Sequence, residues 1–432
     1  MRLKLCCGSL AVVLAALLAG CQFPAPPNRD LPPDATRVCE PASHVCTDGV
    51  ATHCSDDGTS STTETCTFGC AVSGDRCADL DPSNGLAAQL DLAGNREALV
   101  LRNGAVINTE TGMITDGDGT VLVLATTMID ADPVDVMALP VRSLTVGDVT
   151  VRGTRALAIL VDEDVAIAGV FSVSGDRGEQ GPGSLSDRPG CVGGAYRECP
   201  DFASFSGAGG GGFGSDGGAG GPCDGASFAP MGRAEGNPQL VPLRGGCRGG
   251  GGGQNSAAGA GGGALQISAR GAIRLGPGAF IAANGGGGWG PPTNPTCSPF
   301  FTRGGLPCEN GSGGGAGGGI LLEAATVELD TGAGLTANGG SGHYGVLATA
   351  ASPGLLSTAP SPAFVPGCAG CPSGGRGAAR GVDATHGASG YNGSGGGGGV
   401  GRIRLNLAAG SVPALGSAVL SPAPSIGPVT TR

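Results

Sequence analysis

Lysine is almost missing from this sequence of 432 residues: it occurs once, at Lys4, and Arg supplies the rest of the 24 basic side chains. Against them stand 35 acidic residues, for a formal charge of −11. An acidic chain without clustered Lys and Arg has no electrostatic footprint for a polyanion, so nucleic acid is excluded as a partner. The lysine of phosphate-binding loops and Schiff-base chemistry are excluded with it. The preference for Arg, beside abundant Ala, Gly and Pro, fits a codon-composition bias. Aromatic residues are also scarce, with 11 Phe, 3 Tyr and 1 Trp, so a core must be built from Ala, Val, Leu and Ile. Only four histidines exist (His44, His53, His343, His386), none beside a convincing nucleophile, and neither G-x-S-x-G nor H-E-x-x-H occurs. What is plentiful is Gly, at 88 residues, with 31 Pro. Glycine is a poor helix former, so an ordinary helical enzyme domain is excluded too.

The first residues form an address. Met1-Arg-Leu-Lys4 is basic, and Leu10–Leu18 is an apolar run too short to cross a bilayer. The run ends Leu18-Ala19-Gly20-Cys21. This motif resembles the lipobox of bacterial lipoproteins. The resemblance implies cleavage after Gly20, acylation of Cys21 and, because Gln22 follows, sorting to the outer membrane. Two or three acyl chains on one residue would anchor it stably. Residues 21–38 hold five prolines and are expected to form an extended tether, about 3 Å per residue and some 50 Å long.

Of 17 cysteines, Cys6 and Cys7 lie in the signal and Cys21 is the acylation site. Fourteen remain, an even number, as expected of disulfides in an exported chain. Cys39, Cys46, Cys54, Cys66, Cys70 and Cys77 crowd into a module at 39–80, too small to be stable without staples. Six cysteines allow fifteen connectivities, and spacing does not choose among them. The module is similar to cysteine-rich modules of bacterial lipoproteins. The rival reading is a zinc site using His44 and His53, but paired Cys-x2-Cys spacing is absent there. The other candidates are Cys191, Cys199, Cys223, Cys247, Cys297, Cys308, Cys368 and Cys371.

Residues 86–406 carry a divergent repeat. Leu157-Ala-Ile159 and Val165-Ala-Ile167 recur, shifted by 108, as Leu265-Gln-Ile267 and Ile273-Arg-Leu275. Val327-Glu-Leu329 and Leu335 repeat Ile273, Leu275 and Ile281 at a shift of 54, and Arg402-Ile403-Arg404-Leu405 is a half-copy. The copies close alike, on Val173-Ser-Gly175, Ala283-Asn-Gly285 and Ala337-Asn-Gly339, where a turn residue tolerant of positive φ is expected. Gly-poor coils are expected earlier, at Ala98–Leu101, Val121–Leu124, Leu144–Val146 and Val149–Val151. Period-two alternation indicates half-buried strands, and short strands that cannot bury their own faces point to stacking. The expected fold is all-β: an irregular parallel β-solenoid with long, glycine-rich, disulfide-stapled inserts at 176–262, 286–318 and 340–399, behind the small module. The alternative is an antiparallel β-sandwich. Residues 407–432 form a Pro/Ala-rich C-terminal tail. The runs Gly209–Gly212, Gly249–Gly253 and Gly395–Gly399 admit two readings: extended polyproline-II-like segments packed side by side, or flexible loops.

Several chemical motifs weigh little. Gly211–Ala219 departs from the calcium nonapeptide at Gly218 and is single, and Asp116-Gly-Asp118-Gly lacks the closing ligands of a calcium loop. Asp130, Asp132, Asp135 and Asp162-Glu163-Asp164 are expected as solvated loops rather than paired catalytic carboxylates. Cys368-Ala-Gly-Cys371 has redox spacing without a βαβ context. No catalytic residue, metal or cofactor is assigned. The glycine-rich body resembles PE-PGRS-type and other secreted glycine-rich surface proteins. The expectation is therefore a lipid-anchored protein of the outer membrane or cell surface, with a structural, adhesive or surface-binding role. Its partners would be the membrane through the N-terminal lipid and an envelope polysaccharide or protein. The enzymatic alternative is a β-helical polysaccharide lyase or hydrolase, in which Arg270, Arg274, Arg402 and Arg404 would line an open groove beside carboxylates.

Overall fold

A computed structural model describes residues 37–199, 204–223, 228–252, 256–290, 311–344, 350–366, 371–390 and 392–432. The signal, most of the tether, Cys21, Cys297, Cys308 and Cys368 lie outside the described residues. Contacts divide the chain into two units: residues up to 45 with 52–64, and residues 46–51 with 65–432.

The fold is all-β, with one short helix, Ala87–Ala93, and a 3-10 turn at Ser83–Gly85 among the described residues. In the second unit two large sheets face each other. The first runs Thr127–Ile129, Val136–Val141, Ala156–Val161, Ala264–Leu275, Gly319–Leu329, Arg402–Leu407 and Ser425–Pro428 in spatial order. The second runs from Val121–Leu122 through Ala105–Asn108, Val149–Arg152, Val170–Ser172, Phe280–Ala282 and Gly334–Thr336 to Val419–Ser421. Most neighbours are parallel. Antiparallel pairs occur at the edge of each sheet and between Thr430–Thr431 and Leu80–Asp81. The Val121 stretch, expected as a stacked coil, is one of these edges: it pairs antiparallel with Ile114–Thr115, and the backbone reverses before it can join the parallel stack.

The repeat shifts are the hydrogen-bonding register. Leu157 lies opposite Leu265, Ile159 opposite Ile267, and Val165 and Ile167 opposite Ile273 and Leu275. Val327, Leu329 and Leu335 then sit opposite Ile273, Leu275 and Ile281. Like side chains stack on like, so the inward residues of both sheets form one continuous apolar core. Strands such as Val136–Val141 and Ala156–Val161 are buried along their whole length, because the outer face is covered as well. The cover is the Ala87–Ala93 helix. Leu86, Leu90 and Ala93, spaced one helical turn apart, pack on Ala138, Ala158 and Leu160, where alanines leave room for it.

The glycine runs are ordered over their described residues. Gly311, Gly314 and Gly317 donate backbone hydrogen bonds to Gly393, Gly396 and Gly399. Gly393, Gly396 and Gly399 donate to Phe205, Ala208 and Gly211, and Ala208 and Gly211 donate back to Gly311 and Gly314. Three parallel segments thus close a ring of donors. The residues between them turn to other neighbours: Gly395, Gly398 and Gly401 donate to His343, Gly340 and Ala337. Each partner is met every third residue, the repeat of a polyproline-II helix, which has no internal hydrogen bonds. These segments are surrounded by others, so nearly every position is crowded. A Cβ on Gly398 would lie 1.9 Å from the carbonyl oxygen of Gly315, and one on Gly210 would lie 1.9 Å from that of Gly397. The described residues of the long inserts therefore form a packed bundle that continues the sheets.

The closing motif has a different role from the one its sequence suggests. Gly175, Gly285 and Gly339 do not have left-handed φ. Instead a Cβ there would meet the carbonyl oxygens of Gly261, Gly315 and Gly398 at 2.5, 2.1 and 2.0 Å. Glycine is required for close approach to the bundle, so these positions are not turns.

Sulfur links staple both units. Cys39–Cys54 lies in the first; Cys46–Cys70, Cys66–Cys77, Cys191–Cys247 and Cys199–Cys223 lie in the second. Cys371 is disulfide-bonded as well. These disulfides place the chain in an oxidising setting. No helix among the described residues is long and apolar enough to cross a membrane. Thiol titration of the denatured, unreduced mature protein is expected to find close to zero free thiols; a majority reduced would overturn the oxidising assignment.

Candidate functional site

The outward residues of the second sheet form the floor of an open groove. Alternation sends Val149, Val151, Phe171 and Ile281 into the core, and Thr150, Arg152 and Ser172 outward. Thr150 pairs in register with Ser172, Ser172 with Ala282, and Ala282 with Thr336. A polar ladder runs beside them. The Asn284 backbone N–H donates to the Ser174 hydroxyl at 3.0 Å, and the Asn338 N–H donates to Asn284 Oδ1 at 2.8 Å. The Ser421 hydroxyl donates to Asn338 Oδ1 at 2.6 Å. Asn338 Nδ2 in turn holds the carbonyls of Leu355 and Ser357, fixing the segment that forms one wall of the groove. The cavity measures about 780 Å³ and is lined by Thr150, Arg152, Ser172, Ser174, Asp176, Glu179, Gln180 and Asn284, with Pro353 and Leu356 as its apolar wall. Arg152 and Glu179 face each other at 3.8 Å, both largely exposed, a pair worth little in stability and free to meet a ligand.

The charged residues singled out in the sequence are engaged elsewhere. Arg270 Nη2 and Nη1 pair with Asp79 and Asp162 at 2.7 and 2.6 Å, and Arg270 Nη2 also reaches Asp91. Arg432 joins the same two aspartates, Asp79 and Asp91, on the first of which Arg270 holds a bidentate grip. Burial pushes the Asp79 carboxyl up, but the hydrogen bonds and charges of Arg270 and Arg432 outweigh it, so the group titrates below the usual carboxylate range. Arg270 is raised, chiefly by its bond to Asp79. Arg274 bridges Asp164 and Glu328. Arg402 and Arg244 lie over the Phe213 ring at 5.6 and 5.7 Å, and burial, followed by the charge of Arg244, lowers Arg402. Arg404 bonds Asn406. The four strand arginines therefore do not share a groove; three of them fasten segments onto the sheets or one strand to the next, and Arg404 bonds within its own strand.

The aspartate motifs resolve as turns and ties. Asp116 is buried and accepts from the backbone N–H and Nε of Arg102 at 2.8 and 2.6 Å, and Asp118 pairs with the same arginine. Asp135 faces Arg155 at 3.8 Å, while Asp130 and Asp132 are exposed. Asp216 accepts from Ala234 N–H and Arg233, which ties the glycine-rich loop to the 233–234 segment. His386 Nδ1 accepts from Ala219 N–H at 2.8 Å, and its ring lies against Phe228. His343 is buried against Phe364.

Two features escaped the sequence reading. The groove residues Arg152, Asp176 and Glu179 come from a strand and a loop, and only the alternation of Val149–Arg152 hinted at an outward Arg152. Glu323 is fully buried, and the apolar run of Gly319–Leu329 around it was the available signal. No protein-family model matches the chain, and neither the curated proteins nor the solved structures compared with it yield a match.

Proposed function

We propose that this chain is an exported, lipid-anchored envelope protein with a surface-binding role, that its paired sheets and glycine bundle together act as an irregular parallel β-solenoid, and that the groove over the second sheet takes an extended polysaccharide. The observation that carries this reading is the groove itself. Its floor presents the hydroxyls of Thr150 and Ser172 from two successive parallel strands about 4.8 Å apart, a spacing comparable to one pyranose ring, with Ala282 on the next strand and Asn284 just beyond it. Hydroxyl-rich ligands need this mixture of donors and acceptors with an apolar wall. Ordered strands and a packed bundle support rigid display of the site, and the Leu18–Cys21 motif supports tethering to the outer membrane or cell surface.

The test has two arms. Screening the mature protein against envelope polysaccharides is expected to find a binder, and Ser172→Trp, which fills the groove from an outward position, should weaken it at least tenfold without lowering the melting temperature. Equal binding by the variant removes the groove from the proposal. Cys21→Ala should release the protein from membrane fractions; a variant that still sediments with membranes defeats the anchor. A second reading rests on Asp176 and Glu179 beside Arg152: the groove would cleave the polysaccharide instead of holding it. New chain ends appearing with the wild type and not with Glu179→Gln would favour cleavage.

A further inference from the structure

The cysteine-rich segment holds a pair of histidines, His44 and His53, which the sequence offers with the cysteines only as a rival zinc site to the disulfides. The sulfurs of that block are consumed in disulfides, Cys39–Cys54, Cys46–Cys70 and Cys66–Cys77. The histidines are left to each other. In the first unit, His44 and His53 bring their Nδ1 atoms to 2.7 Å, with ring centroids 5.0 Å apart and planes inclined by 62°. His44 is exposed and His53 half-buried, so one side of the pair opens to water.

We propose that His44 and His53 form a two-histidine clamp for a divalent transition-metal ion, with Cu(II) bound more tightly than Ni(II) or Zn(II). Imidazole nitrogens bind such ions at about 2.0–2.1 Å. Two ligands at right angles on one ion then lie about 2.9 Å apart, and two tetrahedral ligands about 3.3 Å apart. The two Nδ1 atoms, hydrogen-bonded to each other, are within a few tenths of an ångström of the first value, so they need little separation; the ion replaces the proton between them, and the rings rotate to turn both lone pairs toward it. The backbone is fixed on both sides of the rings. The Cys54 N–H donates to the Ser43 carbonyl at 2.9 Å, and Cys54 is crosslinked to Cys39. Little ordering is therefore left for binding to impose. Nitrogen ligands without thiolate suit Cu, Ni and Zn, and the general affinity order places Cu(II) first. Water completes the coordination, which sets an affinity in the micromolar range rather than that of a four-ligand structural site.

The experiment is a titration of the mature, disulfide-intact protein with CuCl2, followed by calorimetry and electron paramagnetic resonance. One ion is expected per chain, with nitrogen hyperfine structure from two equivalent imidazoles. His44→Ala and His53→Ala should each weaken this ion at least tenfold and reduce the spectrum to one such nitrogen. His343→Ala and His386→Ala should leave it unchanged. His44→Gln serves where the alanine variant misfolds, with absence of free thiols confirming an intact module. Wild-type affinity in both single variants, or a spectrum without two imidazole nitrogens, overturns the clamp.

Discussion

Gly250→Ala is expected to abolish folding of the glycine bundle, while Gly251→Ala, one residue away in the same run, should leave it intact. A Cβ on Gly250 would lie 2.0 Å from the carbonyl oxygen of Gly194, with the Gly193 carbonyl at 2.9 Å. Both are backbone atoms of a segment held in place by hydrogen bonds: the Gly193 N–H donates to Arg248, the Gly250 N–H to Gly209, and the Gly209 N–H to Gly194. The added methyl cannot be relieved by a rotamer change; two segments must separate and give up the bonds between them. Among the described residues, a Cβ on Gly251 would meet nothing closer than the Ser256 carbonyl at 3.9 Å. Neither residue has left-handed φ, so backbone strain cannot explain a difference. Ordinary overpacking costs about 1–3 kcal/mol. The Gly250 variant should exceed about 4 kcal/mol, in the exceptional range reserved for clashes without relief. Urea unfolding and soluble yield of the two variants measure this directly. Equal stabilities would mean the segments are not packed as closely as their hydrogen bonds require.

This contrast also shows how far the sequence can be read. The shifts of 108 and 54 were legible because stacked strands place like residues on like, and the spacing equals the chain consumed in each excursion from the sheet. The all-β class followed from alternation alone. The glycine runs left two readings open, since a flexible loop and a crowded segment have the same composition. Only the three-residue rhythm of partners, visible once Gly314 lies beside Gly396 and Gly211 beside Gly314, separates them. The Asn-Gly closings were misjudged for a related reason. The dipeptide signals a turn when its neighbours are local, but Gly339 is dictated by the Gly398 carbonyl, nearly sixty residues away. Arg270 was legible as an outward residue, yet its partners Asp79, Asp91 and Asp162 are remote in sequence, so its role as a fastener was not.

Glu323→Ala should be the most damaging substitution outside the bundle, at about 3–5 kcal/mol. The residue is fully buried on the outer face of the first sheet. Its Oε2 accepts from the Ser83 N–H at 3.0 Å, Gln266 Nε2 at 2.8 Å and the Ser268 hydroxyl at 2.8 Å. Its Oε1 accepts from the Ser83 hydroxyl at 2.6 Å and Asn406 Nδ2 at 3.0 Å. The two hydroxyls can turn to other acceptors, and Gln266 Nε2 keeps the Ser83 carbonyl and the Ser268 hydroxyl at 3.1 and 3.0 Å, but the backbone N–H of Ser83 and the Asn406 amide would lose their acceptor. Each buried donor left unmatched costs about 1–3 kcal/mol. Glu323→Gln should lose nearly as much, because an NH2 group would then face donors. The network also joins three adjacent strands to the Ser83–Gly85 turn, with Asn84 bonding Gln266 at 2.9 Å and accepting from the Leu243 N–H at 3.0 Å. Loss should therefore be local before it is global: the turn and the Ala87–Ala93 helix should become susceptible to proteolysis at denaturant concentrations where the sheets persist. Uniform protection of this segment in the variant, or a stability change under about 1 kcal/mol, would show that the carboxylate is not what holds the helix on the sheet.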